Sequence, residues 1–405
     1  MARLPDGDRP PADGALPPAA LHGLGGAGRP FGVYVHVPYC TTRCGYCDFN
    51  TYIPGEASPA GYAAAVRAEL ALARRVLGGD AAPAAETVFV GGGTPTLLEP
   101  AELAAVLDAI REELGLAPGA EVTTEANPET VDPASLAALR EAGFTRISLG
   151  MQSAAPHVLA TLERHHTPGR AVAAAREARA AGFEHVSLDL IYGTPGERAA
   201  DWEASLFAAL EAAPDHVSAY SLIVEPGTRL AARVRRGELP MPDDDVLAER
   251  YETAERVLGD AGLRWYEVSN WARSDADRCR HNLGYWGGGD WWGVGPGAHS
   301  HVGGVRWWNV LHPSRWMAAL AEGRSPAAGR EEPGPDAARL EHVMLAVRLK
   351  EGLPLDGLGA PARQEASQLA ADGLLDAAAL RDGGRAVLTL RGRLLADRVT
   401  LALAG

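Results

Sequence analysis

Tyr34-Val35-His36-Val37-Pro38-Tyr39-Cys40-Thr41-Thr42-Arg43-Cys44-Gly45-Tyr46-Cys47 gathers three of the chain's four cysteines within eight residues. The cluster directly follows an apolar, valine-rich run at 31–37 that reads as a strand. Thiolates are soft ligands, and a tight group of reduced cysteines suits iron–sulfur or zinc. Three ligands are one fewer than a four-iron cubane or a structural zinc ion takes. A cubane held by three cysteines leaves one iron open to a small molecule. A zinc knuckle is the competing reading, and no nearby His or Cys completes its tetrahedral set.

Outward from this loop, short β-like runs alternate with alanine-rich helical runs. Strands are expected at 31–37, 86–90, 121–125, 145–149, 185–190 and 216–222. Helices are expected at 59–77, 101–114, 133–142, 168–181 and 200–212. Pro at helix starts (Pro59, Pro100, Pro133, Pro168) and Gly143 and Gly182 at helix ends punctuate the series. This alternation means parallel strands with right-handed crossovers, in either a doubly wound sheet or a barrel. Both put chemistry at the carboxyl ends of strands. There lie Cys40, Gly91-Gly92-Gly93-Thr94, Glu125, Gln152 and Asp189, and their convergence on one mouth favours the barrel.

After 240 a helix at 245–261 and a strand at 264–268 precede a Gly/Trp-rich stretch, 284–308. The expected domains are a disordered extension (1–30), a (β/α)6 barrel (31–240), a barrel extension (241–310) and a small, mainly helical domain (311–405). The last is expected to hold a strand at 386–390 and an amphipathic terminal helix. The 405 residues are 46% hydrophobic, so a large core can be buried. A formal charge of −14 argues against broad nucleic-acid binding. No apolar run reaches 18 residues and no secretory signal is evident, which points to a cytoplasmic protein without a membrane span.

The C-x3-C-x2-C loop behind a first strand resembles that of the radical S-adenosylmethionine (SAM) superfamily. That resemblance implies a partial (β/α)6 TIM-like barrel with a [4Fe–4S] cluster on Cys40, Cys44 and Cys47, and SAM on the fourth iron. Gly91–Pro95 resembles the motif that receives the SAM amine, assigning Gly92, Gly93 and Thr94 to the cofactor. Glu125, Gln152, Arg164 and Asp189 match positions that bracket SAM, with Arg164 suited to its carboxylate. Tyr34 joins this cofactor set. Tyr46 matches an adenine-contacting aromatic or simply packs the loop; Asp189 and Glu125 are otherwise caps or mouth ion pairs.

Further motifs narrow the resemblance: 34–40 with 48–52, GGGTPT at 91–96, SLGMQS at 148–153, DLIYGTP at 189–195 and GVGPGAHS at 293–300. Together they resemble the heme-chaperone branch of the HemN-like proteins. His281-Asn282-Leu283-Gly284-Tyr285-Trp286 matches the H-N-x-x-Y-W signature. By that match His281 is a heme ligand, with Tyr285 and Trp286 stacking on porphyrin and Arg280 or Arg264 pairing with propionates. By spacing alone His281 is a hydrogen-bonded core residue. Cys279 is read as a structural thiol, and His299, His301, His165 and His166 are competing heme ligands. Strand alternation puts His299 and His301 on one face. The tryptophans at 291, 292, 307 and 308 form either core or a macrocycle wall.

The implied function is a heme chaperone passing heme to membrane respiratory heme proteins. The alternatives are an oxygen-independent coproporphyrinogen III dehydrogenase or another HemN-like enzyme such as a methyltransferase. If SAM is cleaved, an electron donor such as flavodoxin or ferredoxin is implied. Phe49 stands where the dehydrogenases carry a further cysteine, which weighs against decarboxylation.

Overall fold

The computed structural model describes residues 4–26 and 28–405. Six parallel strands follow one another in chain order: β1 (Phe31–Val37), β2 (Ala85–Gly92), β3 (Leu116–Ala126), β4 (Arg146–Gln152), β5 (His185–Tyr192) and β6 (His216–Ser221). A doubly wound sheet reverses its strand order at a switch point; the strictly sequential order is that of a barrel. On β1, Val33, Val35 and Val37 are fully buried against the outer helices. By the period of two, Tyr34 and His36 face the lumen.

Helices Tyr62–Val76, Pro100–Glu113, Pro133–Ala142, Arg170–Ala180 and Ala199–Leu210 fall where alanine-rich periodicity put them. Asp132 caps one by accepting from the Ser135 amide at 2.7 Å. Gly143, at φ 108°, ends it in the left-handed region where a side chain is strained. Two short helices, Pro156–Thr161 and Arg229–Arg235, have too little periodicity to read from sequence.

The barrel does not close. Beyond β6 the sheet continues through β7 (Arg264–Glu267) and β8 (Asn270–Ala272), in the order β6-β8-β7. Beyond β1 it continues through β9 (Asp290–Val294), β10 (His299–Val302), β11 (Val305–Asn309) and β12 (Ala327–Glu331). The Gly/Trp-rich stretch thus forms strands. Trp292 and Trp307 pack edge to face at 4.8 Å and are core, as is Trp308.

Three expectations need correction. Residues 4–26 are not a disordered extension, whereas 1–3 and 27 lie outside the described residues. Asp8 and Arg330 exchange backbone hydrogen bonds (2.8 and 2.9 Å), Ser325 donates to the Ala12 carbonyl, and Ala20 is 2% exposed. The open ladder of β12 supplies the partner that composition does not reveal. Residues 311–331 also pack with the barrel, and Ala327–Glu331 joins its sheet as β12. Trp316 on helix Pro313–Ala321 packs on Tyr62 and donates to the buried Glu69 at 2.7 Å. The separate apolar core of the tail begins at Val343. Within the tail, the expected strand at 386–390 shrinks to Arg385–Ala386, paired with Leu353–Pro354, because Thr389 caps a new helix through the Gly392 amide. The Lys350 amide bonds to the Tyr266 carbonyl, so the tail meets the sheet edge at β7.

Candidate cluster and cofactor site

A cavity of about 860 Å³ opens at the carboxyl ends of β1–β6. Its mouth is the cysteine loop, which backbone bonds pin on both sides. The Cys40 amide donates to Tyr52, the Gly45 amide to Leu162, and the Leu230 amide to the Gly45 carbonyl. Cys40, Cys44 and Cys47 are free and half-buried. Burial favours the neutral form of two of them, pushing the Cys40 thiol up and Cys47 up to about 12. Thr94 Oγ1 and Arg164 Nη1 lie 3.7 and 3.6 Å from the Cys40 and Cys44 sulfurs. The Thr94 bond and the Arg164 charge oppose that rise at Cys40.

The residues fit a cubane better than a single ion. At least one pair of the three sulfurs lies more than 4.8 Å apart, whereas thiolates sharing one tetrahedral zinc sit about 3.8 Å apart. Beside them, Gly93 leaves no space for a side chain. A Cβ there would come within 2.6 Å of the Tyr39 carbonyl and 3.0 Å of the Cys40 sulfur. Gly92, at φ 113°, donates its amide to Glu125 Oε2 at 2.9 Å.

Around the cavity wall the structure brings together Tyr46, Gly92, Gly93, Thr94, Glu125, Gln152, Arg164 and Asp189. Burial, then the nearby Asp189 charge, pushes the Glu125 carboxyl up to about 7. Asp189 is also raised by burial, opposed by hydrogen bonds from Ser218 and Ser148 and by the Arg164 charge. Gln152 is buried at φ 63°, a conformation seldom adopted outside glycine, asparagine and aspartate. Arg164 also donates to His166 Nε2 at 2.9 Å; burial and the Arg164 charge lower that imidazole to about 4. The mouth therefore joins three soft donors, the Arg164 guanidinium and two half-buried carboxylates.

Two sequence assignments fall elsewhere. Tyr34 does not line this cavity but a second cleft, and its hydroxyl bonds to His36 Nδ1 at 2.9 Å. His281 is 3% exposed, with Nδ1 bonded to Thr87 Oγ1 and Nε2 to the Tyr285 hydroxyl, each at 2.8 Å. Its ring stacks on Phe89, and burial lowers its pKa to about 3. Both ring nitrogens are thus engaged within the protein, the arrangement of a hydrogen-bonded core residue. Arg280 and Arg264 bond to the Gly119 and Gly259 carbonyls, at the end of the barrel opposite the mouth. Propionate pairing at a mouth site is out of their reach.

The cavity floor was missed from sequence. Arg146 and Glu121 form an ion pair at 3.1 Å, with side chains 1% and 5% exposed. Cys279, buried as expected, donates to Glu121 at 3.7 Å. The one signal was an arginine opening a strand that carries no other charge.

Residues 34–209 match the radical SAM superfamily. The chain is 58% identical over 392 residues to the heme chaperone HemW of Mycobacterium tuberculosis, covering 96% of this chain and 98% of that protein. It is 32% identical over 384 residues to the heme chaperone HemW of Bacillus subtilis, covering 92% and 98%. Its fold is similar to that of coproporphyrinogen III oxidase (HemN) from Escherichia coli. That comparison has a TM-score of 0.80 and 22% identity, covering 95% and 92% of the two chains. A cysteine trio at a barrel mouth, with similarity running almost end to end, means that this chain belongs to the HemW family of the radical SAM superfamily, whose members carry a [4Fe–4S] cluster and SAM.

Proposed function

We propose that this chain is a heme chaperone that carries heme on a cluster- and SAM-bearing scaffold and delivers it to membrane respiratory heme proteins. The observation that carries the reading is the similarity to heme chaperones over 96% of the chain. The geometry agrees. Cys40, Cys44 and Cys47 would hold the cluster, and Phe49, in place of a further cysteine, is 56% exposed at the mouth. When bound, the cluster supplies an electron and an open iron for the amino and carboxylate groups of SAM. The chain's own residues orient that cofactor. Gly92 and Gly93 allow close backbone approach, Arg164 meets a carboxylate, and Asp189 and Gln152 offer acceptors for hydroxyl and amine groups.

Heme titration of the anaerobically reconstituted protein, followed by mixing with the apo form of a membrane respiratory heme protein, tests the reading. The expected result is a Soret band that moves to the acceptor. Coproporphyrinogen consumption with SAM and reductant, without heme binding, would make it a dehydrogenase instead.

Glu125 gives the SAM site a pH dependence. Its folded-state pKa near 7 lies above the ordinary carboxyl value, so it holds a proton between about pH 4.5 and 7. A neighbouring ammonium favours the carboxylate, so binding SAM expels that proton. Affinity should rise from pH 6 to pH 7 and level off above. Glu125→Gln should flatten the profile and weaken binding about tenfold. Calorimetry in buffers of different ionisation enthalpy reads the proton release directly, and a flat wild-type profile would remove Glu125 from the amine contact.

A further inference from the structure

Arg164 stands just after the helix Pro156–Thr161, where Glu163 at φ 55° turns the chain and the Arg164 amide bonds to the Leu159 carbonyl. Its side chain is half-buried. Among the described residues that side chain bonds to an imidazole and a sulfur and to no carboxylate. Nη1 reaches the Cys44 sulfur at 3.6 Å, and Nε donates to His166 Nε2 at 2.9 Å. Nη2 lies beside Gly150, where a Cβ would come within 3.1 Å of it and 2.8 Å of Gln152 Nε2. A guanidinium is planar, so fixing Nε sets the directions of both Nη groups. Left untethered, the long side chain would have to be ordered by the ligand, at a cost in affinity.

The acceptor role defines the state of His166. Nε2 takes the Arg164 N–H, so it holds a lone pair and the ring proton sits on Nδ1. A backbone bond to Met151 favours that proton. The Met151 carbonyl also receives the Ser153 amide at 2.8 Å. With Gln152 at φ 63°, this bond across one residue makes a γ-turn of the rare, positive-φ kind. His166 thus touches both Arg164 and the turn that presents Gln152. The next residue is anchored as well, since Thr167 donates its amide and hydroxyl to Glu129 at 2.6 and 3.2 Å. His166 itself does not line the cavity, so it reaches a ligand only through these neighbours.

We propose that His166 is a positioning residue of the SAM site. Its Nε2 lone pair fixes the Arg164 guanidinium in the orientation that receives the SAM carboxylate, and its ring ties that guanidinium to the Gln152 turn. This rests on the reading above that Arg164 meets the carboxylate.

Calorimetric titration of the reconstituted protein with SAM and with decarboxylated SAM is the test. His166→Leu should weaken SAM binding about tenfold and change affinity for the decarboxylated analogue less than about twofold. Iron content and the thermal midpoint should stay at wild-type values. His166→Gln, whose amide oxygen reaches the Nε2 position, should bind SAM within about threefold of wild type. His166→Asn is polar but too short to reach Arg164 and should behave as the leucine variant, so a folding defect in the latter leaves the test standing. In an Arg164→Gln background, His166→Leu should weaken SAM binding no further. Wild-type SAM affinity in His166→Leu and His166→Asn, equal losses for both ligands, or a further loss on top of Arg164→Gln would overturn the proposal. Wild-type SAM affinity in Arg164→Gln alone would overturn the carboxylate reading of Arg164, and this proposal with it.

Discussion

Replacing Cys40, Cys44 or Cys47 with serine abolishes the brown absorbance of the reconstituted protein, and bound iron falls from about four per chain to near zero. A serine hydroxyl does not ionise near neutral pH and is a hard oxygen donor, so each substitution leaves two soft ligands where three are needed. No neighbouring thiol compensates, because Cys279 lies on the cavity floor against Glu121. Cys279→Ser should keep its iron. Stability of the apoprotein should change by less than about 1 kcal/mol, because the loop is held by backbone bonds at Cys40, Gly45 and Leu230. Iron analysis with the visible spectrum checks the outcome. Full cluster content in any of the three variants, or zinc in the wild type, would remove the ligand assignment.

Arg146→Met is expected to cost about 3–5 kcal/mol of folding stability. The guanidinium is almost completely buried, pairs with Glu121, and donates to the Asp277 and Arg278 carbonyls at 2.9 and 3.1 Å. Methionine fills similar volume but leaves the Glu121 charge in a low-dielectric floor and two carbonyls short of a donor. Glu121 also accepts from the His281 amide, so the damage reaches the helix Arg280–Trp286. Removing both charges, as Glu121→Gln with Arg146→Met, should recover part of the loss, since an unpartnered buried charge is worse than none. Urea unfolding of the three proteins measures this. A single-variant loss below 1 kcal/mol would mean that water reaches the floor and screens the pair.

The barrel is legible in the sequence because strands covered by helices must be apolar in short runs while the helices show one buried stripe. The mouth follows from it, since strand ends locate Gly92, Glu125, Gln152 and Asp189 without any side-chain geometry. Depth and direction are less accessible. A motif gives the neighbours of His281 along the chain but not that its helix turns the imidazole inward to Thr87. Glu121 and Arg146 sit 25 residues apart, and only strand register makes them partners. The second cleft was hidden for the same reason. Asn50, beside Phe49, bonds to Leu311, 261 residues away. The amino-terminal arm misleads through composition, because proline and glycine disfavour helix and sheet interiors but still allow one strand-edge pairing.

A sheet that stops short of closure exposes two unfinished rims, each a template for any passing chain. Here the polypeptide hems itself. Its opening residues lie along β12 through Asp8, and its tail clasps β7 through Lys350. Trimming either extremity should therefore show first as self-association in solution rather than as lost iron.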